Sequence, residues 1–376
     1  MLRVAIVGCG KIADQHAEQI AHLPGCEIVG VCDREGLMAR QLQERLKVSS
    51  AHIELSELLE HARPDVVHIT TPPQTHYPLA KACLSAGCHV YLEKPFTVTA
   101  SEAEELILLA RETGRKITAG HNAQFSHAAN RMRALVASGF LGGLPLHLES
   151  YYCYNLGDAG YAAALLGDCR HWVRSLPGGL LQNTISHGIS KIAEFLSGDD
   201  PEVIAHGFTS PLLESVGEST IVDELRVIIR DRAQTAYFTF SSQMKPCLHQ
   251  LRLYGAKNGL VLDENQQTLI RLRGNARKSF LEQFVSPWDH ARQYLANAFH
   301  NVAKFARADF PPGYGMRYLI GEFYRSIRED GPPPIPYSEI LRTAKIMDRI
   351  FAQLSARTPA LTGNIDARLK AELVAH

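Results

Sequence analysis

The chain has 376 residues, 45% of them hydrophobic, and a formal net charge of zero. That length suits two domains better than one and supplies an ample core. Zero net charge offers no electrostatic case for nucleic acid or an anionic membrane, and no apolar run nears the roughly 18 residues of a membrane span.

The first 120 or so residues alternate strand and helix. Apolar runs at Arg3–Val7, Glu27–Cys32, Asp65–Thr70, His89–Glu93 and Lys116–Gly120 read as strands. Helical periodicity falls between them, at Ile12–Leu23, Leu37–Leu46, Leu55–His61, Tyr77–Ala86 and Ser101–Thr113. Ser101 with Glu104 suggests a capping box, and Gly87 and Gly114 stand where glycines end helices. Such alternation predicts a doubly wound parallel sheet with right-handed crossovers.

The rhythm changes after about residue 122. A helix at Ala128–Ser138 and a strand at Leu146–Tyr154 lead into a region rich in Gly, His and aromatic residues. Runs with β character follow at Glu202–Thr209, Ser219–Ile229, Thr235–Ser241, Gln250–Tyr254 and Leu260–Leu262. Three helical patterns, Asp289–Ala306, Tyr318–Glu329 and Ser338–Leu354, close the chain. The expected organisation is an α/β N-terminal domain over 1–122, an α+β domain with a mainly antiparallel sheet over 123–356, and a loosely held tail over 357–376.

The first strand runs into Gly8-Cys9-Gly10-Lys11-Ile12-Ala13, a Gly-x-Gly-x-x-Ala turn opening a helix. The first glycine permits the turn, the second lets backbone approach a pyrophosphate, and the third small residue lets helix and strand pack closely. The helix N-terminus then offers free N–H groups to phosphate. Asp33 ends the second strand twenty residues after Ala13, where an acidic side chain accepts the adenine-ribose hydroxyls. A carboxylate there repels a 2′-phosphate, so NAD is favoured over NADP; Arg34 beside it could stack on adenine or pair with that phosphate.

Three further stretches carry chemistry. Thr71-Pro72-Pro73-Gln74-Thr75-His76 follows the strand at 65–70, on the edge of the sheet where ligands bind. His76 reads either as a contact for the nicotinamide half of a dinucleotide or as a satisfied residue of the next helix, which Thr75 would cap. Glu93-Lys94-Pro95 ends the next strand at the same edge, and the proline restricts where Lys94 points. Pro177-Gly178-Gly179 leads a helix holding Asn183 and His187, four residues apart and so on one face. Histidine titrates near neutrality and can move a proton; Asn183 reads also as an N-cap.

These four motifs, in this order, resemble the glucose–fructose oxidoreductase/inositol dehydrogenase/rhizopine-catabolism (Gfo/Idh/MocA) family, strongly over 1–125, fairly over 140–200, and architecturally beyond. The resemblance implies a Rossmann domain followed by an open-sheet domain that mediates homodimers or homotetramers. It implies that Lys94 holds the reacting oxygen and that His187 is the general base and acid, with Asn183 beside it. The expected cofactor set is Gly8, Gly10, Lys11, Ile12, Asp33, Arg34, Thr71, Pro72, His76, Glu93, Lys94 and Asn122; the expected substrate set is Lys94, Tyr152, Trp172, Asn183 and His187.

Departures from the family pattern concern the substrate side. Asn183 stands where aspartate is common, Ser190 where a second aspartate often follows, and Gln124 where arginine is usual; a Trp-Arg pair is split as Trp172-Val173-Arg174. Losing the aspartate removes a charge that would raise the pKa of a nearby histidine. Tyr151, Tyr152 and Tyr154 are candidates for sugar-stacking rings or for ordinary core.

The implied activity is hydride transfer between nicotinamide and a secondary alcohol of a sugar, polyol or nucleotide-sugar. Alternatives are a redox-neutral glycosidase of the same fold, or a non-enzymatic NAD-binding regulator, which would need neither Lys94 nor His187. The eight cysteines show no Cys-x-x-Cys or zinc spacing, and the seventeen histidines form no metal-ligand motif, so no metal is expected. A strand beginning at residue 2 leaves no room for a leader, and a reducing cytoplasm is the expected compartment.

Overall fold

The computed structural model of the protein describes residues 1–155, 165–168, 170–274, 279–307 and 313–357; the expected tail from 358 onward lies outside the described residues. The first sheet is parallel, in the order β3-β2-β1-β4-β5-β6. Its strands are β1 (Leu2–Val7), β2 (Cys26–Cys32), β3 (Ala51–His52), β4 (Val66–Ile69), β5 (His89–Leu92) and β6 (Ile117–Ala119). Helices α1 (Lys11–Ala21), α2 (Gly36–Leu46), α3 (Leu55–Ala62), α4 (His76–Ser85) and α5 (Ala100–Glu112) connect them. All four residues of β4 and of β5 are buried, as in strands covered on both faces. The reversal of strand order between β1 and β4 opens a crevice at the C-terminal ends of the strands.

The second sheet has seven strands in the order β13-β12-β11-β7-β10-β9-β8. They are β7 (His147–Cys153), β8 (Glu202–Phe208), β9 (Glu224–Asp231), β10 (Gln234–Ser241), β11 (His249–Tyr254), β12 (Asn258–Asp263) and β13 (Thr268–Arg273). The β7–β10 pair is parallel; the other pairs are antiparallel. Its inner face packs on α6 (His127–Ala137), α7 (Gly179–Thr184) and α8 (Ser186–Ala193). Close packing of α8 requires Gly188, because a Cβ there would stand 2.3 Å from the Phe238 ring. After α9 (Pro211–Glu214), three helices close the described chain: α10 (Ser279–Ala306), α11 (Tyr314–Arg328) and α12 (Tyr337–Arg357).

Several local expectations shift. The capping box at α5 is Thr99 with Glu102, two residues before the Ser101–Glu104 pair, and Thr75 makes no side-chain cap on α4. Strand β9 begins at Glu224 rather than Ser219, because the preceding loop is folded over Glu218, which accepts from the Thr220 and Ile221 amides. Helix α10 starts ten residues before Asp289 and continues through Pro287. Strands β3 and β13 went unpredicted. Helix α11 belongs to the first core, where Met316, Leu319, Ile320, Phe323 and Tyr324 pack with the parallel sheet.

Candidate active site

At the end of β1 the chain turns through Gly8, whose φ is +93°. A Cβ there would lie 2.7 Å from Thr71 Cγ2 and 2.8 Å from the Thr71 amide nitrogen, so this position needs glycine for both conformation and space. Gly10 differs. Its φ is an ordinary −78°, and a Cβ there would meet nothing within 4 Å. The space beside Gly10 is open, and it lies at the start of α1, where no side chain caps the helix. Unclaimed N–H groups, a positive dipole end and room for a bulky anion fit a pyrophosphate. Lys11 is exposed there and Ile12 half-buried.

Asp33 is held at the neighbouring strand end. Its carboxylate accepts from the Cys9 amide at 2.7 Å and from the Glu35 amide at 2.9 Å. Arg34 is exposed and reaches Glu35 at 3.8 Å. Thr71 and Pro72 form the opposite lip, half-buried and exposed respectively.

Two expected cofactor contacts are directed inward instead. His76 is fully buried; its Nδ1 faces the Pro95 carbonyl at 3.0 Å and its Nε2 the Thr71 carbonyl at 2.9 Å. Both ring nitrogens are committed to backbone, so His76 braces the loop against the Lys94–Pro95 turn. Glu93 is buried with one carboxylate oxygen 2.9 Å from His16 Nε2 and the other accepting from the Lys94 amide at 3.1 Å. From there a buried chain continues, His16 Nδ1 to His68 Nδ1 at 2.8 Å and His68 Nε2 to the Tyr324 hydroxyl at 2.8 Å. Asn122, half-buried, follows β6 at the same edge.

Lys94 extends from the end of β5 toward the second domain, where its Nζ donates to the Asn183 carbonyl at 3.0 Å. Burial lowers its pKa below the ordinary lysine value, against the raising influence of Glu93. Asn183 lies inside α7 and is not an N-cap; its backbone carbonyl is what meets the lysine. Ile185 keeps right-handed helical angles between α7 and α8, so His187 stays on the face of Asn183. The His187 pKa is pushed well below the usual histidine range, by burial first and then by the Lys94 charge, followed by His121, Lys191 and His249. The ring is therefore neutral at physiological pH. Its buried Nδ1 has no hydrogen-bond partner. Ser190 donates to the His187 carbonyl rather than to its ring.

The motifs passed over His121, His249, Lys191 and Glu264, while Tyr152 and Trp172 were expected. His121 is buried, its pKa pushed down to about 4 by burial, and neither ring nitrogen has a partner. It follows β6 as Lys94 follows β5, so the strand-end rule would have found it. Tyr152 lies with its ring 5.9 Å from that of His187 and stacks on His249 at 4.5 Å. Tyr152 and His249 face each other in the β7–β11 register, a pairing visible only once strands are aligned. Behind them Lys191 and Glu264 form a buried ion pair at 2.5 Å. Trp172 is half-buried and its carbonyl accepts from Gln74 at 3.0 Å, tying the substrate-side segment to the Thr71–Thr75 loop.

The expected substrate-side departures at Gln124 and Arg174 are structural. Gln124 is buried and donates to Glu339 at 2.5 Å and Glu194 at 3.0 Å. Arg174 pairs with Glu218 at 2.7 Å. Among the described residues no group of three His, Cys, Asp or Glu side chains could hold a metal ion, and no helix is long and apolar enough to cross a membrane.

Comparison with known proteins agrees with this fold. An uncharacterized oxidoreductase of Escherichia coli K12, YdgJ, is 36% identical over 152 residues, 40% of this chain and 43% of that protein. D-glucoside 3-dehydrogenase of the same organism is 34% identical over 142 residues, 38% and 40% of the two chains. These matches span about two fifths of the relatives' length. The fold is shared more widely: the WlbA dehydrogenase of Bordetella pertussis, solved with NADH and UDP-GlcNAcA, superposes with a TM-score of 0.74 at 15% identity, covering 94% of this chain and 96% of that one. Residues 2–121 match the model for the Gfo/Idh/MocA oxidoreductase family with the NAD-binding Rossmann fold.

Proposed function

We propose that the protein is an NAD-dependent dehydrogenase that oxidises or reduces a secondary alcohol of a sugar, polyol or nucleotide-sugar. The observation that carries this reading is the meeting of Lys94, from the parallel sheet, with the Asn183–His187 helical face, from the second domain. The buried nitrogens of His187 and His121 without partners mark the same place as built for a ligand.

Gly8, Gly10, Lys11 and Ile12 would hold the pyrophosphate, Asp33 the adenine ribose, and Thr71, Pro72 and Asn122 the nicotinamide half. Arg34 is exposed at the adenine side, beside Glu35. Asp33 places a carboxylate where NADP would bring a phosphate, which favours NAD. NAD, when bound, supplies a hydride acceptor. The chain supplies position and proton control. His187, held neutral by burial and by the Lys94 charge, takes the hydroxyl proton. Lys94 donates to the same oxygen and stabilises the negative charge that develops on it. The Asn183 carbonyl keeps the ammonium in place before substrate arrives. Tyr152 and Trp172 would flank the sugar ring.

The relatives support the substrate class: one is named for a glucoside and the structural neighbour was solved with a nucleotide-sugar. A homo-oligomer through the second sheet is part of the same reading. Ile204, Ile228 and Tyr237 pair across β8, β9 and β10 on its outer face and are exposed.

The test is a spectrophotometric screen of sugars, polyols and nucleotide-sugars with NAD. The expected result is net formation of reduced nicotinamide with at least one of them. Glycoside cleavage without accumulation of reduced nicotinamide would assign the redox-neutral chemistry instead.

A further inference from the structure

Helix α10 is amphipathic in the reverse sense. Its polar side faces its own domain, and its apolar side faces solvent. Gln293 accepts from the Arg271 amide at 2.8 Å and donates to the Arg271 carbonyl at 3.1 Å. Asn297 does the same at Leu269, at 3.1 Å in both directions. Asn301, one turn on, donates to the Gln266 carbonyl at 2.9 Å. These amides occupy the free edge of β13 much as another strand would.

The opposite side of the helix carries Leu281, Phe284, Trp288, Ala291, Leu295, Ala298, Val302 and Phe305. The spacing alternates three and four residues throughout, the repeat of a helix seam made for another helix. All are exposed: Trp288 by 73%, Phe305 by 76% and Phe284 by 67%. Phe299, 73% exposed, flanks the seam.

The order of large and small residues indicates what covers it. Turned antiparallel about a two-fold axis at residue 293, the seam matches itself: Leu281 meets Phe305, Phe284 meets Val302, Trp288 meets Ala298, and Leu295 meets Ala291. The bulkiest side chain faces alanine, and the central leucine faces the other alanine, as interdigitation requires. From 280 to 306 Arg292 is the one charged residue on the seam or its flanks, and Asp289 lies one turn away. Arg292 lies one residue from the axis and so approaches Arg292 of the second copy, with Asp289, three residues away on the same helix, the nearest opposite charge. Phe284, Trp288, Phe299 and Phe305, at about 200 Å² each, would bury on the order of 500 Å² per copy. The exposed aliphatic side chains bring the strip toward the ~800 Å² per partner of a stable interface.

We propose that α10 is a dimerisation element, pairing antiparallel with α10 of a second copy of this chain. This surface is distinct from the outer face of the second sheet and stands whatever the reaction. The test is mass by sedimentation or light scattering of three proteins: wild type, Trp288→Glu, and Trp288→Glu with Ala298→Lys. Both sites are exposed, and circular dichroism checks that helix content is kept.

The wild type is expected to be an even-numbered oligomer, the single variant to have half its mass, and the double variant to recover it, since each Glu then faces a Lys of the partner. A monomeric wild type, or an unchanged mass in the single variant, overturns the proposal; either points to a different occupant or none. A halved mass that the second substitution does not restore overturns the antiparallel register.

Discussion

The two sheets solve the same burial problem differently. In the first, β4 and β5 are buried at every position and have helices on both faces. In the second, β9 and β10 alternate buried and exposed residues, one face inward and one outward. To the proposed site the parallel sheet contributes its strand ends, where Gly8, Thr71, Lys94 and His121 stand. The mixed sheet contributes its inner face, where Tyr152 stacks on His249 and lies beside His187 from α8. The proposed site takes one contribution of each kind, a strand-end lysine and a histidine packed on a sheet.

Substitutions that hit only one contribution sharpen that contrast. Lys94→Ala should lower turnover on the order of 10³-fold, because it removes the donor aimed at the developing charge. NAD affinity should stay within a few-fold, read by fluorescence titration; near-normal turnover would remove Lys94 from the mechanism. The two glycines of the phosphate turn should separate binding from folding. Gly10→Val places a side chain in open space, so it should weaken NAD about tenfold or more at nearly unchanged Tm. Gly8→Ala forces a strained φ and a clash with Thr71, and should cost about 1–3 kcal/mol in denaturant unfolding.

A pH profile of kcat/KM tests the neutral histidine. Burial and the Lys94 charge lower the His187 pKa, so the acid limb should fall below the ordinary histidine value of 6.5. The alkaline limb should fall below the 10.5 of ordinary lysine, since burial lowers Lys94. An acid limb at or above 6.5 would break the assignment of His187 as the base.

The smallest expected effect lies away from the site. Burial and nearby Glu194 raise the Glu339 pKa from 4.5 to about 8. Between those values the folded protein keeps a proton that the unfolded chain has released, so stability falls as pH rises through that window. Glu339→Gln should flatten the decline and raise Tm by a few degrees at pH 8 relative to the unsubstituted protein. Scanning calorimetry at pH 5 and pH 8 reads it.

The parallel half was the more legible because its determinants are local. Glycines at turns, an acid at a strand end and a proline after a lysine carry their meaning within a few residues. The second half depends on pairing across long sequence separations. His249 lies opposite Tyr152 because of strand register, and no short window around either residue reveals it. Local logic also misled where a residue faced inward. His76 and Glu93 sit at the ligand edge by position, yet their side chains close contacts inside the first domain. Gln124 fills a buried polar cluster with Glu194 and Glu339 rather than a pocket. Strand β13 escaped notice because its edge partners are the amides of a helix downstream.

The buried chain from Glu93 through His16 and His68 ends on a hydroxyl that belongs to α11. That helix also fills the first core with Phe323 and Tyr324. A growing polypeptide therefore exposes its nucleotide-binding half long before the segment that finishes it has been made. Until residue 324 emerges, His68 faces an unfilled space, and the parallel sheet lacks part of one covering layer. Completion of the dinucleotide domain consequently waits on synthesis of a segment that follows the half that brings His187.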